Sequence, residues 1–337
     1  MYNIAIIGCG VIGLTAAAAI QEEYKSGVKI TIFADKLTPN TTSDVAAGLW
    51  GPFYLQDTKL EKIQEWGKGA HDYFLHLWKS GFAAEAGVTL QLVKSVTATD
   101  ISTLDHPHIV FGMQELPPDQ IQELSIQHDK AYKSGCTFVT FTCEPRMLLP
   151  FLQKRFLANG GTIKNVKIKC FDELSDFDLI VNCPGLMASE IASDSNMTPI
   201  RGQVARVYAP WQFHSILNDG NYVVGNCNSI VLGGTNQMGD TDTNPRDSDI
   251  DRILNGSYDF IPALRNAPIL YHSVGLRPGR TRLRLEKEVK NINGKNITIV
   301  HNYGHGGGGV SLSYGCALET LQLVREALAD IPHRSKL

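Results

Sequence analysis

An α/β fold, with one parallel sheet wound by helices and a second, antiparallel sheet, is predicted by three stretches of the sequence. Ile4-Ala5-Ile6-Ile7 is an unbroken apolar run, followed at once by Gly8-Cys9-Gly10-Val11-Ile12-Gly13 and an alanine-rich segment through Ala19. An apolar run without alternation suits a strand buried on both faces, and the alanines favour a helix, so the order is strand, tight turn, helix. Val28-Lys29-Ile30-Thr31-Ile32-Phe33-Ala34-Asp35 then reads as a second strand ending in an acid. Between Ile200 and Gly239, short runs such as Gln203 to Tyr208, Tyr222 to Val224 and Ser229 to Leu232 read as antiparallel strands.

Each glycine of the opening turn has its own task. Gly8 permits the turn, Gly10 lets a pyrophosphate approach bare backbone, and Gly13 lets the helix pack against the strand. The helix start at Val11 and Ile12 supplies unpaired N–H groups and a positive dipole end for phosphate oxygens. Glycines at this spacing also mark ordinary turns. The acid about twenty residues on, where a carboxylate can accept from ribose hydroxyls, makes the unit a Rossmann-like dinucleotide-binding one. Lys36 is either a phosphate contact or a solvated charge at a strand end.

Composition bounds the rest. A chain of 337 residues has material for two domains, and 43% hydrophobic with 19% charged residues is ordinary for a globular protein. The net charge of -3 and the lack of lysine–arginine runs argue against a nucleic-acid partner. The arginine-rich segment Arg277 to Arg284 reads as alternating with apolar residues, as a strand would. Seven scattered cysteines without a C-x-x-C pair predict a reducing compartment, no disulfide framework and no structural metal. Ile4 to Ile20 lacks the basic leader of a signal peptide, and no other segment is long and apolar enough to span a bilayer. Ser335-Lys336-Leu337, set off by Pro332-His333-Arg334, is the tripeptide read by the peroxisomal import receptor. Delivery to the peroxisome matrix, and chemistry that releases hydrogen peroxide, are therefore expected.

In the stretch from Thr38 to Trp50, Thr41, Thr42 and Ser43 either donate to phosphate oxygens or cap a following helix, and Gly48 lets backbone approach a flat ring. Lys59 to Trp78 is an amphipathic helix, Leu116 to Pro118 a loop, Pro145 to Asn159 a helix, Thr162 to Lys169 a strand, and Phe177 to Cys183 a buried parallel strand. Gly304-His305-Gly306-Gly307-Gly308-Gly309-Val310-Ser311 exposes backbone groups ahead of a closing helix from Ser313 to Ala329, with Leu318, Leu321, Val324 and Leu328 at helical spacing. The dinucleotide domain is thus expected in three pieces, 1–54, 141–190 and 275–337. The second domain takes 55–140 and 191–274.

Ala46-Ala47-Gly48-Leu49-Trp50-Gly51-Pro52, together with the opening glycines, resembles the D-amino-acid oxidase family, flavoproteins that include D-aspartate oxidase. The likeness recurs at Val181 to Gly185, Ala205 to Trp211, Val231 to Thr235, Gly275 to Pro278 and His301 to Gly307, in the family's order over nearly the whole chain. The resemblance implies FAD as cofactor, held by Gly8, Gly10, Val11, Ile12, Gly13, Asp35, Lys36, Thr41, Thr42, Ser43, Gly48, Leu49, Val166, Cys183, Gly185, Gly306, Gly307, Gly308, Gly309, Val310 and Ser311. It implies hydride transfer from a D-amino acid to the flavin, with oxygen as acceptor and 2-oxo acid, ammonia and hydrogen peroxide as products. It also leaves room for a homodimer.

Three residues would act on the substrate. Arg277 would bind its carboxylate through two parallel hydrogen bonds, a fit that only a planar guanidinium offers. By resemblance the Tyr222 hydroxyl would contact the same carboxylate, and the Gly307 carbonyl would accept from the amine. Taken alone, Tyr222 reads as a half-buried strand tyrosine, and Arg280, Arg282 and Arg284 as surface strand arginines. Pro278 places Arg277 at a strand edge or end. No catalytic base stands out, and His305 reads as a residue that organises backbone. Where the D-aspartate branch carries arginines this chain has Asn218 and Asn236. Gly51 replaces a usual glutamine, and the turn Leu217 to Asn221 is short and lacks a second tyrosine. A second carboxylate would find only amides, so neutral or polar D-amino acids are favoured, with D-aspartate or D-glutamate the alternative. A nicotinamide-dependent dehydrogenase and a catalytically silent binding protein are remoter readings.

Overall fold

The computed structural model describes residues 1–53, 55–99 and 106–331; the tripeptide Ser335-Lys336-Leu337 lies outside them. A six-stranded sheet is built around β1 (Tyr2–Ile7), which pairs in parallel with β2 (Val28–Phe33) on one side and β7 (Leu179–Asn182) on the other. β6 (Thr162–Lys164) extends it past β2, and β15 (Lys295–Tyr303) and β14 (Arg284–Ile292) extend it past β7, with β14 antiparallel at the edge. Alternate residues of β1 serve the two faces. Ile4 and Ile6 pack with α1 (Val11–Tyr24), α5 (Pro145–Ala158) and α8 (Gly309–Ala329), while Ala5 and Ile7 pack with Phe33, Phe171, Ile180 and Ile299. Burial on both faces is what the unbroken apolar run demands.

The second sheet has nine strands. Along it run β12 (Gln237–Met238), β8 (Thr198–Val207), β11 (Ile230–Gly233), β10 (Asn221–Gly225), β9 (Ser215–Asn218), β3 (Val88–Thr97), β5 (Ser134–Cys143) and β4 (Phe111–Glu115). β13 (Ile269–Gly279) pairs with the whole of β8 along its other side. Every pair is antiparallel except β3 with β9. Helix α7 (Asp247–Phe260) closes an apolar cluster on Ala205, Val223 and Leu232, and α4 (Pro118–Gln127) buries Ile121 against Val96 and Tyr132. The short helices α3 (Ala83–Ala86) and α6 (Ala188–Ile191) turn the chain at its crossings.

Several expectations are corrected. Residues 275–279, assigned to the dinucleotide domain, belong by hydrogen bonding to the second sheet, because β13 continues unbroken from Ile269 to Gly279. Helix α2 (Leu60–Lys79), assigned to the second domain, packs on α8 so closely that a Cβ on Gly315 would lie 2.0 Å from the Trp66 carbonyl oxygen. The strand expected from Thr162 to Lys169 stops at Lys164, after three residues paired with β2. Leu318 is exposed, since Cys316, Ala317 and Thr320 take the inward positions of α8. Arg280 is not a surface strand arginine, since it follows β13 and pairs with buried Asp194; Arg284 does open the edge strand β14, paired with Glu286 and Glu288, and also bonds the Tyr303 hydroxyl.

Candidate active site

A cleft of about 990 Å³ opens where the segments following β1, β2, β7 and β15 meet residues of β8, β10 and β13. Ligands of open α/β sheets bind in this crevice beyond the carboxyl ends of the parallel strands. Two helix starts reach it, that of α1 at Val11 and that of α8 at Gly309. Both bring positive potential to it, with the first N–H of α1, that of Val11, already bonded to Ser43 Oγ.

On the first sheet's side Gly8 makes the turn and Gly13 seats the helix on it, as the sequence indicates. Gly8 has φ +99°, and a Cβ there would meet the Cys183 carbonyl oxygen at 2.2 Å. A Cβ on Gly13 would lie 2.0 Å from the Gly8 carbonyl oxygen, so α1 touches the turn directly. At Gly10 only the Ser43 hydroxyl, at 3.1 Å, would be near, and at Gly185 nothing lies within 4 Å. Asp35 is exposed at the cleft wall beside Lys36, with its carbonyl and that of Ala34 accepting from the Asn165 amide.

The hydroxyl loop serves as a cap in this structure. Thr41 and Asp44 form a reciprocal cap, with Thr41 Oγ1 to Asp44 Oδ2 at 2.6 Å, whereas Ser43 Oγ accepts the Val11 N–H at 3.1 Å and Thr42 is exposed on the cleft. Gly48 lines the cleft with φ +81°, but its close approach is to the Cys143 carbonyl, 2.0 Å from a Cβ, which seats the loop on β5. Leu49, Cys183, Gly306, Gly307, Gly309, Val310 and Ser311 line the cleft. Val166 and Gly308 do not: Val166 lies beyond the shortened β6, half exposed, and Gly308 caps α8 against Leu55.

On the second sheet's side both substrate residues lie over glycines. A Cβ on Gly202 of β8 would meet the Arg277 guanidinium at 2.5 Å, and one on Gly233 or Gly234 would strike the Tyr222 ring. Glycine in a strand marks such close approach. Arg277 Nη1 donates to the Thr235 carbonyl at 3.1 Å, and Arg277 forms no ion pair among the described residues. Among the described residues, Lys36 and Arg277 are the cleft's only lysine or arginine, and Asp35 is its only acid. Asn218, Asn221, Asn236 and Thr243 complete this side, with the Asn218 amide donating to the Tyr132 hydroxyl. Gly307 lies under the Phe53 ring.

The sequence reading passed over Gly202, Thr235 and Asn302 as site residues. A glycine inside the alternating run at Gln203 was the available signal for the first; nothing short of the fold brings Thr235 to Arg277. Asn302 Oδ1 and His305 Nε2 are buried at the cleft without a hydrogen-bond partner among the described residues. Burial pushes the His305 imidazole down to about 3, so it is neutral across the working pH range. Burial, and secondarily Asp44, pushes the Cys9 thiol up to about 12, which makes it an unreactive wall. The bare backbone at Gly10 and Gly185, two helix starts and orphaned polar atoms fit an elongated dinucleotide with phosphates at one end and a polar ring at the other.

The comparisons agree. The family model described as DAO, FAD dependent oxidoreductase, matches residues 3–323. The human D-aspartate oxidase is 35% identical, with 97% of this chain and 95% of that protein covered. A D-amino acid oxidase of Dugesia ryukyuensis is 33% identical, covering 97% and 98%. In fold, the glycine oxidase of Geobacillus kaustophilus superposes with a TM-score of 0.76 over 97% of this chain and 95% of that one, at 16% identity. The cofactor is FAD, and the nicotinamide reading is set aside. The chain belongs to the D-amino-acid oxidase family of FAD-dependent oxidoreductases.

Proposed function

We propose that this enzyme oxidatively deaminates neutral or polar D-amino acids, converting substrate, oxygen and water to a 2-oxo acid, ammonia and hydrogen peroxide. One observation carries the reading: Arg277, without an ion-pair partner among the described residues, stands over Gly202 in a cleft whose other described lysine or arginine is Lys36, just after β2. When bound, FAD supplies the acceptor for the hydride leaving the α-carbon and passes the electron pair to oxygen.

The chain's own residues bind and orient. Arg277 grips the carboxylate, and its bond to the Thr235 carbonyl fixes the plane of the guanidinium. Tyr222, seated over Gly233 and Gly234, contacts the same carboxylate, and the Gly307 carbonyl accepts from the amine. The amine must shed a proton before the hydride leaves. His305, neutral and buried, and the amides of Asn218, Asn221 and Asn236 offer no strong base, so solvent takes that proton as the substrate binds. The glycine run and the start of α8 present N–H groups and positive potential to the cleft, where they would hold the cofactor's ring and stabilise negative charge on it.

D-aspartate or D-glutamate is the second reading, favoured by the names of several relatives. Against it, a second carboxylate would meet amides where an ion pair is needed. Peroxide release from purified, FAD-loaded protein given D-alanine, D-methionine, D-aspartate and D-glutamate in parallel decides between them. Faster turnover of the acidic pair would reverse the preference, and no turnover of any would end the proposal. The terminal Ser335-Lys336-Leu337 supports action in the peroxisome matrix. An N-terminal fluorescent fusion should reach peroxisomes and lose that address when the tripeptide is removed.

A further inference from the structure

Two strands of different sheets come together at the floor of the cleft, and a buried carboxylate joins them. Asp194 lies on the crossing from β7 to β8, just after α6. Its Oδ2 accepts from Arg280 Nε at 2.9 Å and from the Tyr303 hydroxyl at 2.9 Å, and its Oδ1 accepts the Asn196 N–H at 3.0 Å. The Tyr303 hydroxyl itself accepts from Arg284 Nη1 at 2.8 Å. Arg280 directly follows β13, the strand of Arg277, and Tyr303 ends β15 directly before the glycine run.

The two strand ends also touch through backbone. Gly304 has φ +87°, and a Cβ there would lie 2.8 Å from Arg280 Cβ. The Gly306 N–H donates to the Pro278 carbonyl at 2.9 Å. The piece of chain that carries the carboxylate anchor and the piece that carries the cofactor-facing glycines are therefore held to each other by one backbone bond and one side-chain bridge.

We propose that Asp194 is a positioning residue: by bridging Arg280 to Tyr303 it sets the separation between Arg277 and the glycine run, and so the reach from the substrate's α-carbon to the cofactor. This rests on the oxidase reading above. Hydride transfer needs the reacting atoms near contact distance, and a displacement of about 1 Å can cost roughly a hundredfold in rate without loosening either partner's binding. A carboxylate suits the task because one oxygen can accept from two donors at once while its charge balances Arg280.

The test uses the full-length holoprotein in three variants. Asp194→Ala breaks the bridge, Asp194→Asn keeps one acceptor in place, and Tyr303→Phe removes one arm while leaving no buried charge unpaired, which protects folding. Three quantities are read: flavin bound per protein from visible absorbance, affinity for benzoate as an unreactive carboxylate, and the single-turnover rate of flavin reduction by D-alanine. All three variants should hold FAD, and both Asp194→Asn and Tyr303→Phe should bind benzoate as the parent does. Tyr303→Phe should be reduced roughly tenfold to a hundredfold more slowly, with Asp194→Asn between it and the parent. Parent-like reduction in Tyr303→Phe, or a loss that follows weakened benzoate or FAD binding, overturns the positioning role. Failure of the parent itself to be reduced by any D-amino acid would strike the oxidase reading instead.

Discussion

Arg277 commits Nη1 to the Thr235 carbonyl, and its Nη2 and Nε have no partner among the described residues. A guanidinium in that condition, half-buried over a glycine, is prepared for a planar anion. Hydrogen bonds to charged groups contribute about 1.5–3 kcal/mol each, so losing two amounts to roughly a hundredfold or more in kcat/KM. Arg277→Ala should show that loss with FAD still bound; retained turnover at ordinary substrate concentration would remove the residue from its role. Asn236 is exposed on the same wall, where an added guanidinium keeps access to water until a substrate arrives. Asn236→Arg should therefore raise the ratio of D-aspartate to D-alanine turnover. An unchanged ratio would mean that the side-chain end of the substrate lies elsewhere.

At the scale of elements, α2 and α8 cross through Gly69 and Gly315 with backbone against backbone. A methyl at position 315 has no room, since the Trp66 carbonyl oxygen would be 2.0 Å away and cannot rotate aside. Gly315→Ala should cost about 1–3 kcal/mol by overpacking, read as a lower urea midpoint, although alanine is the better helix former. Leu318→Ala, exposed on the same helix, should change it by no more than about 0.5 kcal/mol. Equal midpoints for both would show that the helices separate freely. The strand–turn–helix at β1 and α1 was legible because its signals are local: an apolar run, glycines at fixed offsets, an acid at the next strand's end. The sheet to which β13 belongs was not: the single strand expected along Arg277 to Arg284 is in fact the end of β13 at Gly279, a bend, and the start of β14 at Arg284, and alternation names no partner for either. For the same reason Arg280 read as a surface charge, although Asp194, 86 residues earlier in the chain, awaits it. The Thr41 to Ser43 hydroxyls were legible as a group but not one by one, because capping and phosphate contact use the same donors.

At the scale of the whole molecule, three buried histidines make stability depend on pH. Burial alone lowers His305, to about 3; His71 and His301 are brought to about 4 chiefly by burial, with Lys68 adding to the first and Arg284 to the second. Their ordinary value is 6.5, so between it and those lowered values the unfolded chain binds protons that the folded chain refuses. Stability from these groups is thus fully present above about pH 6.5 and lost as pH falls toward 4, at about 1.4 kcal/mol per pH unit for each histidine. Buried carboxylates act below that window. Burial raises Asp194, but bonds from Arg280, Tyr303 and the Asn196 N–H outweigh it and leave the group below its ordinary range. His71 offers the cleanest test, because its ring sits among Trp50, Phe111 and Phe141 at centroid distances of 5.1, 5.1 and 4.9 Å, with Nε2 buried and unpartnered among the described residues. His71→Phe keeps the aromatic packing and removes both the orphaned nitrogen and one titrating site. The variant should match or exceed the parent at neutral pH, and its fall in Tm between pH 7 and pH 5 should be smaller than the parent's. An undiminished fall would place the acid sensitivity in other groups.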